Sequence, residues 1–462
     1  MSHSLSTDYL VVGTGAVGMA FADTLVAETE ADIVMVDRYP APGGHWNVAY
    51  PFVTLHQPSA YYGVNSVELS RGTRDRVGLN RGLADLASGA EVMGYFDRVM
   101  RDVLLPTGRV RYFPMCDYRG DGRFDSRLSG QTHEVTFSKL VDCTYLNTSV
   151  PSTHTPNFEV ADGVRFIPPN DLPLVADAPD GYTVVGGGKT GVDTVLWLLE
   201  GGVAPEAIRW IVSRDAWMID RENAQNHPDF LLPALRTQVG QFEALGLAAD
   251  RADLFGRLEA CGYLLRLDPH VEPEMFHAAT ISRAELDALR TVERVVRMGR
   301  VRRIGTDEIE LAEGDVPTSA REVHVDCSAS ALRNLAPRPV FDGDTITPQT
   351  VRAYQPAFSA ALIAFIEASD RTEAEKAALT SVVPLPDTLD DYLRLTRAGM
   401  INQYLWGREA DLRAWMRASR LDGFSGVEPN PKDAAEAGEL MARFQSALMP
   451  AGAALNRLLA EG

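Results

Sequence analysis

Apolar positions along the chain form two blocks of the same shape. In the first, Leu10-Val11-Val12 is a short unbroken run, an Ala/Met/Leu-rich helical pattern follows, and Ile33-Val34-Met35-Val36 is a second run. Short apolar runs bounded by glycines and polar residues read as buried strands, so residues 8–38 predict strand, helix, strand. The second block opens with Tyr182-Thr183-Val184-Val185, continues as a helical pattern from Val192 to Leu199, and returns in Ile208-Arg209-Trp210-Ile211-Val212. Between and after the blocks the pattern changes. Val92, Met93, Phe96, Val99, Met100, Val103 and Leu104 predict an amphipathic helix over 91–104. Runs at 110–113, 134–137 and 139–142 predict a small antiparallel meander. Prolines at 151, 156, 168, 169, 173 and 179 mark a connection. Residues 228–292 predict a helical insertion, with strands again near 294–298, 301–304 and 308–311. From about Gln355 to the end the pattern is helical.

Each strand-to-helix junction carries G-x-G-x-x-G. The first has Gly13, Gly15 and Gly18, with Ala16 and Val17 between the last two; the second has Gly186, Gly188 and Gly191, with Lys189 and Thr190 between. In this setting the first glycine allows a tight turn, the second lets backbone approach a pyrophosphate, and the third lets helix pack on strand. The phosphates would sit on the helix N-terminus. Two such units predict an α/β chain of two Rossmann-like dinucleotide-binding domains, with the helical insertion and a helical C-terminal region. The expected division is 1–175 and 323–360 for one domain, 176–322 for the other, and 361–462 for the tail. Leu140-Val141-Asp142-Cys143-Thr144 and Val323-His324-Val325-Asp326-Cys327-Ser328 echo each other, and each would close a sheet.

The second strands end differently. The first ends in Asp37-Arg38, and a carboxylate there accepts hydrogen bonds from a ribose hydroxyl and repels a 2′-phosphate. The other ends in Ser213-Arg214, whose guanidinium suits a phosphate. The first site therefore suits FAD and the second NADPH. Asp215 would weaken Arg214 as an anion site.

Composition narrows the picture. The 462 residues carry a net charge of −19, which disfavours nucleic acid as a main partner, and 45% are hydrophobic, enough for two or three cored domains. No apolar run is long enough to span a bilayer, and the first residues do not read as a signal peptide. The four cysteines form no close pair and no metal cluster, which points to a reducing cytoplasm, to no metal, and away from a dithiol reductase. A flavin facing a nicotinamide implies hydride transfer to the flavin, and oxygen is then the simplest acceptor.

Several motifs sharpen this. The loop Gly43-Gly44-His45-Trp46, the segment Leu55-His56-Gln57-Pro58, both glycine turns, and Ser213-Arg214 with Trp217 resemble the class B flavin-dependent monooxygenases, which include flavin-containing monooxygenases, N-hydroxylases and Baeyer–Villiger enzymes. The resemblance covers roughly residues 8–335. It implies FAD reduced by NADPH, molecular oxygen as co-substrate, a flavin C4a-hydroperoxide, and a small nucleophilic or carbonyl substrate. By that resemblance His56 and Gln57 are the expected catalytic contacts to the flavin edge. Gly44, His45, Trp46 and Thr144 are expected on the FAD, and Asp326 and Ser328 beside the cofactors. The F-x-G-x-x-x-H signature of these enzymes is absent; the nearest stretch is 164–171. A reductase or oxidase that inserts no oxygen is therefore the alternative, and a non-enzymatic flavoprotein a third reading. Tyr61, Tyr62 and Asn65 are candidates for the pocket, the Gln355-Pro356 segment for a helix start near the flavin, and Arg266, His270, Met275, Phe276 and Arg290 for an overhang. His154 and His277 read as structural histidines. A homo-oligomer is allowed.

Overall fold

The computed structural model describes residues 3–146, 148–225, 227–330, 335–423 and 427–461. Two parallel sheets are built on the same plan. In the first, His3–Val12 is central, with Ile33–Val36 on one side and Thr132–Asp142 on the other. Val110–Phe113 extends one edge and Thr345–Ile346 the other, all parallel. In the second, Tyr182–Val185 is central, flanked by Ile208–Ile211 and Val323–Asp326, with Val295–Val296 and Arg165–Ile167 at the edges. The registers match. Val12 lies between Val36 and Asp142, and Val185 between Ile211 and Asp326. Central strands covered on both faces must be apolar throughout, and Leu10, Val11, Val34 and Val184 are fully buried.

The glycine turns repeat to the level of single atoms. Gly13 and Gly186 have φ of +96° and +128°, a region that favours glycine. A Cβ at Gly18 would collide with the Gly13 carbonyl oxygen, and one at Gly191 with that of Gly186. The glycines therefore hold helices Ala16–Glu28 and Lys189–Glu200 against their own strands. The two echoing segments also form the same turn. Thr144 N–H and Oγ1 both donate to Asp142 Oδ1, at 2.9 and 2.6 Å. Ser328 N–H and Oγ donate to Asp326 Oδ1, at 3.0 and 2.6 Å.

Four expectations need correction. Arg165–Ile167 and Val323–Asp326 both pair within the second sheet, so the expected boundaries at 175 and 322 both move outward, and the return to the first sheet is made by Thr345–Ile346. The helix Pro356–Glu367 crosses the expected boundary at 360 and is buried in the first core with Phe21, Val92 and Phe96. The region 228–292 is not wholly helical. After helices Pro228–Leu247 and Arg251–Ala260, the strand Met275–Ile281 pairs parallel with Ala216–Asp220, because its residues are apolar enough to be buried on both faces. The meander is made of other strands than expected, and the runs at 134–137 and 139–142 are one strand. Val110–Phe113 joins the parallel sheet, and only Cys116–Gly120, Arg123–Ser126 and Thr132–Asp142 run antiparallel.

The helix predicted over 91–104 runs from Gly89 to Val99 behind a Ser88–Glu91 capping box and continues as a wider turn to Leu104. In the tail, Glu373–Leu379, Leu389–Trp406, Ala410–Ala418 and Ala434–Ala460 are helices. Among the described residues no helix is long and apolar enough to cross a membrane.

Gly18→Ala and Gly191→Ala should each lower stability by about 1–3 kcal/mol, the usual cost of forcing extra volume into a packed contact. Gly94→Ala, where a Cβ meets nothing within 4 Å, should raise it by about 0.5–1 kcal/mol. Urea midpoints at constant slope measure both.

Candidate active site

A cavity of about 630 Å³ opens where the first glycine turn, the loop after the second strand, the second module and the tail meet. Gly13, Gly15, Ala16 and Val17 line it, with Asp37 and Arg38 from the end of the second strand and Thr144 from the Asp-Cys turn. The backbone is drawn in tightly here. Gly43 N–H donates to Thr14 O (2.8 Å), and a Cβ on Gly44 would lie 2.9 Å from Gly15 Cα. That leaves a floor of bare backbone, which suits a pyrophosphate. Asp37 is buried and already holds the turn. Its Oδ2 accepts from Thr14 N–H (2.5 Å) and Thr14 Oγ1 (2.8 Å), and Oδ1 accepts from Tyr39 N–H (2.8 Å). Oδ1 keeps capacity for one further donor.

His45 and Trp46 follow on a short 3₁₀ turn, Gly44–Val48, and line the same cavity. Their rings stack at 5.4 Å, and Trp46 Nε1–H donates to Tyr62 Oη at 2.7 Å. Burial pushes His45 down to about 4. Tyr61 and Tyr62 join the wall, whereas Asn65 lies outside it, accepting from Ser419 Oγ at 2.9 Å. Arg420 pins this loop by donating to the carbonyls of Ala60, Tyr62 and Val64.

His56 and Gln57 both line the cavity. Thr280 N–H donates to His56 Nδ1 at 3.3 Å, so Nδ1 is the acceptor and the ring proton sits on Nε2. Burial, with the nearby cations Lys189 and Arg221, holds the imidazole down to about 3. The ring is therefore neutral at physiological pH and offers Nε2–H as a donor. Its backbone is held too. Arg221, fully buried, donates from Nε to His56 O (3.1 Å), from Nη1 to Asn80 Oδ1 (3.0 Å) and from Nη2 to Thr280 O (3.2 Å), and pairs with Glu285 at 2.8 Å.

The second module sends Lys189 into the wall, paired with Asp193, whose Oδ2 accepts from Tyr50 Oη at 2.6 Å. Gly186, Gly188, Thr190 and Gly191 form the second turn but do not line this cavity; nor do Gly18, Ser213, Arg214, Asp326 and Ser328. Arg214 is exposed and makes no hydrogen bond or ion pair among the described residues. Asp215, expected to weaken it, is buried and taken by Arg297 through paired contacts of 2.8 and 3.1 Å. Of the expected overhang, Arg266 and Arg290 are engaged elsewhere, with Glu259 and the Leu267 carbonyl. His154 contacts Ser328.

The tail closes the cavity with 353–357, 383–386 and Leu395. Gln355 caps helix Pro356–Glu367 as expected, and its buried Oε1 has no partner among the described residues. Sequence reasoning missed His277, which lines the cavity, and the Arg221 clamp. His277 sits among Met275, Phe276, Ala278 and Ala279 and so reads as core. Arg221 bonds to distant carbonyls, which leave no local signal. Among the described residues no group of three or more His, Cys, Asp or Glu could hold a metal, and the four cysteines are free.

Two modules built on the same glycine turn, the second reaching the cavity through Lys189 and Asp193, define an α/β protein of two like domains. The chain belongs to the family of the uncharacterized proteins Mb2023 of Mycobacterium bovis and Rv2000 of Mycobacterium tuberculosis. It is 45% identical to each over 460 residues, which are 99% of this chain and 85% of theirs. No protein-family model matches it. Among solved structures it is similar to an open form of cyclohexanone monooxygenase (TM-score 0.47, 13% identity, 99% of this chain and 98% of that one). It is also similar to a flavin-containing monooxygenase from Stenotrophomonas maltophilia (0.40, 15%, 76% and 89%) and a bacillithiol disulfide reductase from Bacillus cereus (0.45, 11%, 79% and 100%). At scores this low none of these likenesses decides the chemistry.

The depressed His56 pKa sets an acid-side prediction. Between its ordinary 6.5 and about 3 the unfolded chain binds a proton that the folded chain refuses. Stability is whole above the first value and drains away as pH falls toward the second, by up to about 1.4 kcal/mol per pH unit. His56→Gln should make the acid limb of the stability–pH curve shallower, measured by urea unfolding at successive pH values.

Proposed function

We propose that this chain is an FAD-dependent oxidoreductase reduced by NADPH, and that it acts as a monooxygenase on a small nucleophilic or carbonyl substrate. The observation that carries the reading is the contrast between two otherwise equivalent turns. One lies in a cavity wall with the carboxylate Asp37; the other ends in an exposed, uncommitted Arg214. The residues present fit the cofactor. The bare floor at Gly13, Gly15 and Gly44 would take a pyrophosphate, Asp37 Oδ1 would accept from a ribose, and Gln355 Oε1, unpartnered among the described residues at a helix start, would take a donor from a ring edge. Bound FAD supplies hydride acceptance from a nicotinamide and the activation of oxygen.

The chain's own groups do the rest. His56 Nε2–H donates a fixed hydrogen bond into the cavity, beside Gln57. The walls from Leu55, Val383, Leu385 and Leu395 exclude water. On this reading the first sheet, with its return strand Thr345–Ile346, belongs to the FAD module, and the second sheet, with strands from Arg165 to Asp326, to the NADPH module, in a cytoplasmic enzyme.

The second reading, a reductase or oxidase without oxygen insertion, is favoured by one observation. Where the monooxygenase signature would fall, Asn170 instead ties down Val48 and Ala49 through their carbonyls, both at 3.1 Å.

Purified protein should carry FAD and be bleached by NADPH without oxygen. In air, product formed per NADPH separates insertion from peroxide release. A colourless protein that takes up no FAD would overturn both readings. His56→Ala should shift NADPH use from product toward peroxide; an unchanged ratio would remove His56 from the chemistry. Arg214→Ala should raise KM for NADPH about tenfold to a hundredfold, the worth of a charge-assisted hydrogen bond, and leave NADH unaffected.

A further inference from the structure

We propose that His277, held by Asp387 at the cavity mouth, is the group that passes protons between solvent and the reacting centre. The inference rests on the oxidoreductase reading and holds for either of its branches. Insertion of one oxygen atom consumes NADPH, oxygen and one proton, and releases water. Reduction of oxygen to peroxide consumes the same three. One solvent proton must enter the cavity in each turnover.

The backbone is shaped to deliver this side chain. Trp217 pairs with Phe276, but Ile219 pairs with Thr280, so the strand Met275–Ile281 bulges at 277–279. Ala278 sits there at φ +57°, a conformation that is strained for a residue with a side chain and that gathers at functional sites. Bulges re-aim side chains beside active sites, and both His277 and Ala278 line the cavity. The same bulge ends at Thr280, whose N–H fixes His56.

Asp387 is placed by main chain. Phe276 N–H donates to its carbonyl at 3.3 Å, Met275 bridges Thr388, and its own N–H donates to Asp391 Oδ2 at 3.2 Å. Its Oδ1 then stands 3.5 Å from His277 Nδ1, which leaves Nε2 for the cavity. The side chains are 34% and 49% exposed, so the pair reaches solvent.

The other cavity histidines and the charged groups around His56 are committed. His56 has its Nδ1 occupied and two cations beside it. His45 is held neutral by burial. Lys189, Asp193 and Tyr50 bond to one another. Burial holds His277 below its ordinary imidazole range; Asp387 opposes this by favouring the protonated form, and Arg214 adds to it. In the step itself the Nε2–H bond breaks and an O–H bond forms on the oxygen leaving as water or peroxide. The neutral imidazole then takes a proton from solvent, and Asp387 stays ionised throughout.

The test uses the full chain and the variants His277→Gln, His277→Ala and Asp387→Asn. Imidazole proton–carbon NMR of the purified protein gives the His277 titration, identified by the signal missing in His277→Gln. Asp387→Asn should move its midpoint down, because the anion that favours protonation is gone. In FAD-loaded protein, His277→Ala should slow aerobic turnover about a hundredfold more than it slows anaerobic reduction by NADPH. It should also remove an ionisation from the kcat–pH profile and be rescued by added imidazole. A midpoint unmoved in Asp387→Asn, or a His277→Ala enzyme with the parent profile, would overturn the proposal. Equal loss in both half-reactions without rescue would make His277 a structural residue and would overturn it too. Failure of NADPH to reduce the protein would instead overturn the underlying reading, and the NMR titration stands apart from that result.

Discussion

The buried guanidinium of Arg221 is the constraint on which the site depends. A cation with no exposure must have its donors satisfied from within, or its desolvation is uncompensated. Its partners come from three separate stretches. His56 O and Asn80 Oδ1 belong to the first module, and Thr280 O and the Glu285 carboxylate lie near the end of the bulged strand. Glu285 also closes the capping box of Ser282 on the helix Arg283–Leu289. One planar fork therefore registers the His56 loop against the second module, and the hydrogen bond from Thr280 to His56 follows from that register. A lysine could not do this, because a point charge has no fixed fork to meet several acceptors at once.

What was legible in the sequence was local. The two glycine turns, Asp37, the Asp-Cys turns and the helix beginning near residue 91 are set by neighbours within a few positions, and each stands in the structure. The third small sheet was not legible. Met275–Ile281 places a histidine inside an apolar run, a pattern shared by a buried helix and a strand. His277 and Arg221 were hidden for a related reason. The bulge that turns one and the carbonyls that bind the other arise only when distant segments meet. Asp37 shows a subtler gap. Its spacing from the glycines was plain, but its hold on Thr14 makes it a brace for the turn as well as an acceptor.

The Asp-Cys-hydroxyl turns explain how one plan serves twice. In each, the aspartate at the strand end accepts from the next residue but one, and the cysteine N–H donates back to the central strand, Cys143 to Val12 O and Cys327 to Val185 O, both at 2.9 Å. Gly13 lies against the Cβ of Cys143, which is small enough to sit under the turn, and Gly186 against the backbone of Cys327. A larger residue there would push the turn away from any phosphate it holds.

The first sheet is completed by Thr345–Ile346, and its core by the helix Pro356–Glu367, both of which follow the whole second module in the chain. During synthesis the amino-terminal strands therefore leave the ribosome with one edge of Thr132–Asp142 unpaired and an apolar face uncovered. They stay so until some two hundred further residues have been made, on the order of 10–40 seconds at ordinary elongation rates. The second module, whose strands from Arg165 to Asp326 are contiguous, can close first. The order of assembly thus runs against the order of the sequence, and the interval before closure is when an exposed strand edge is open to pairing with another chain.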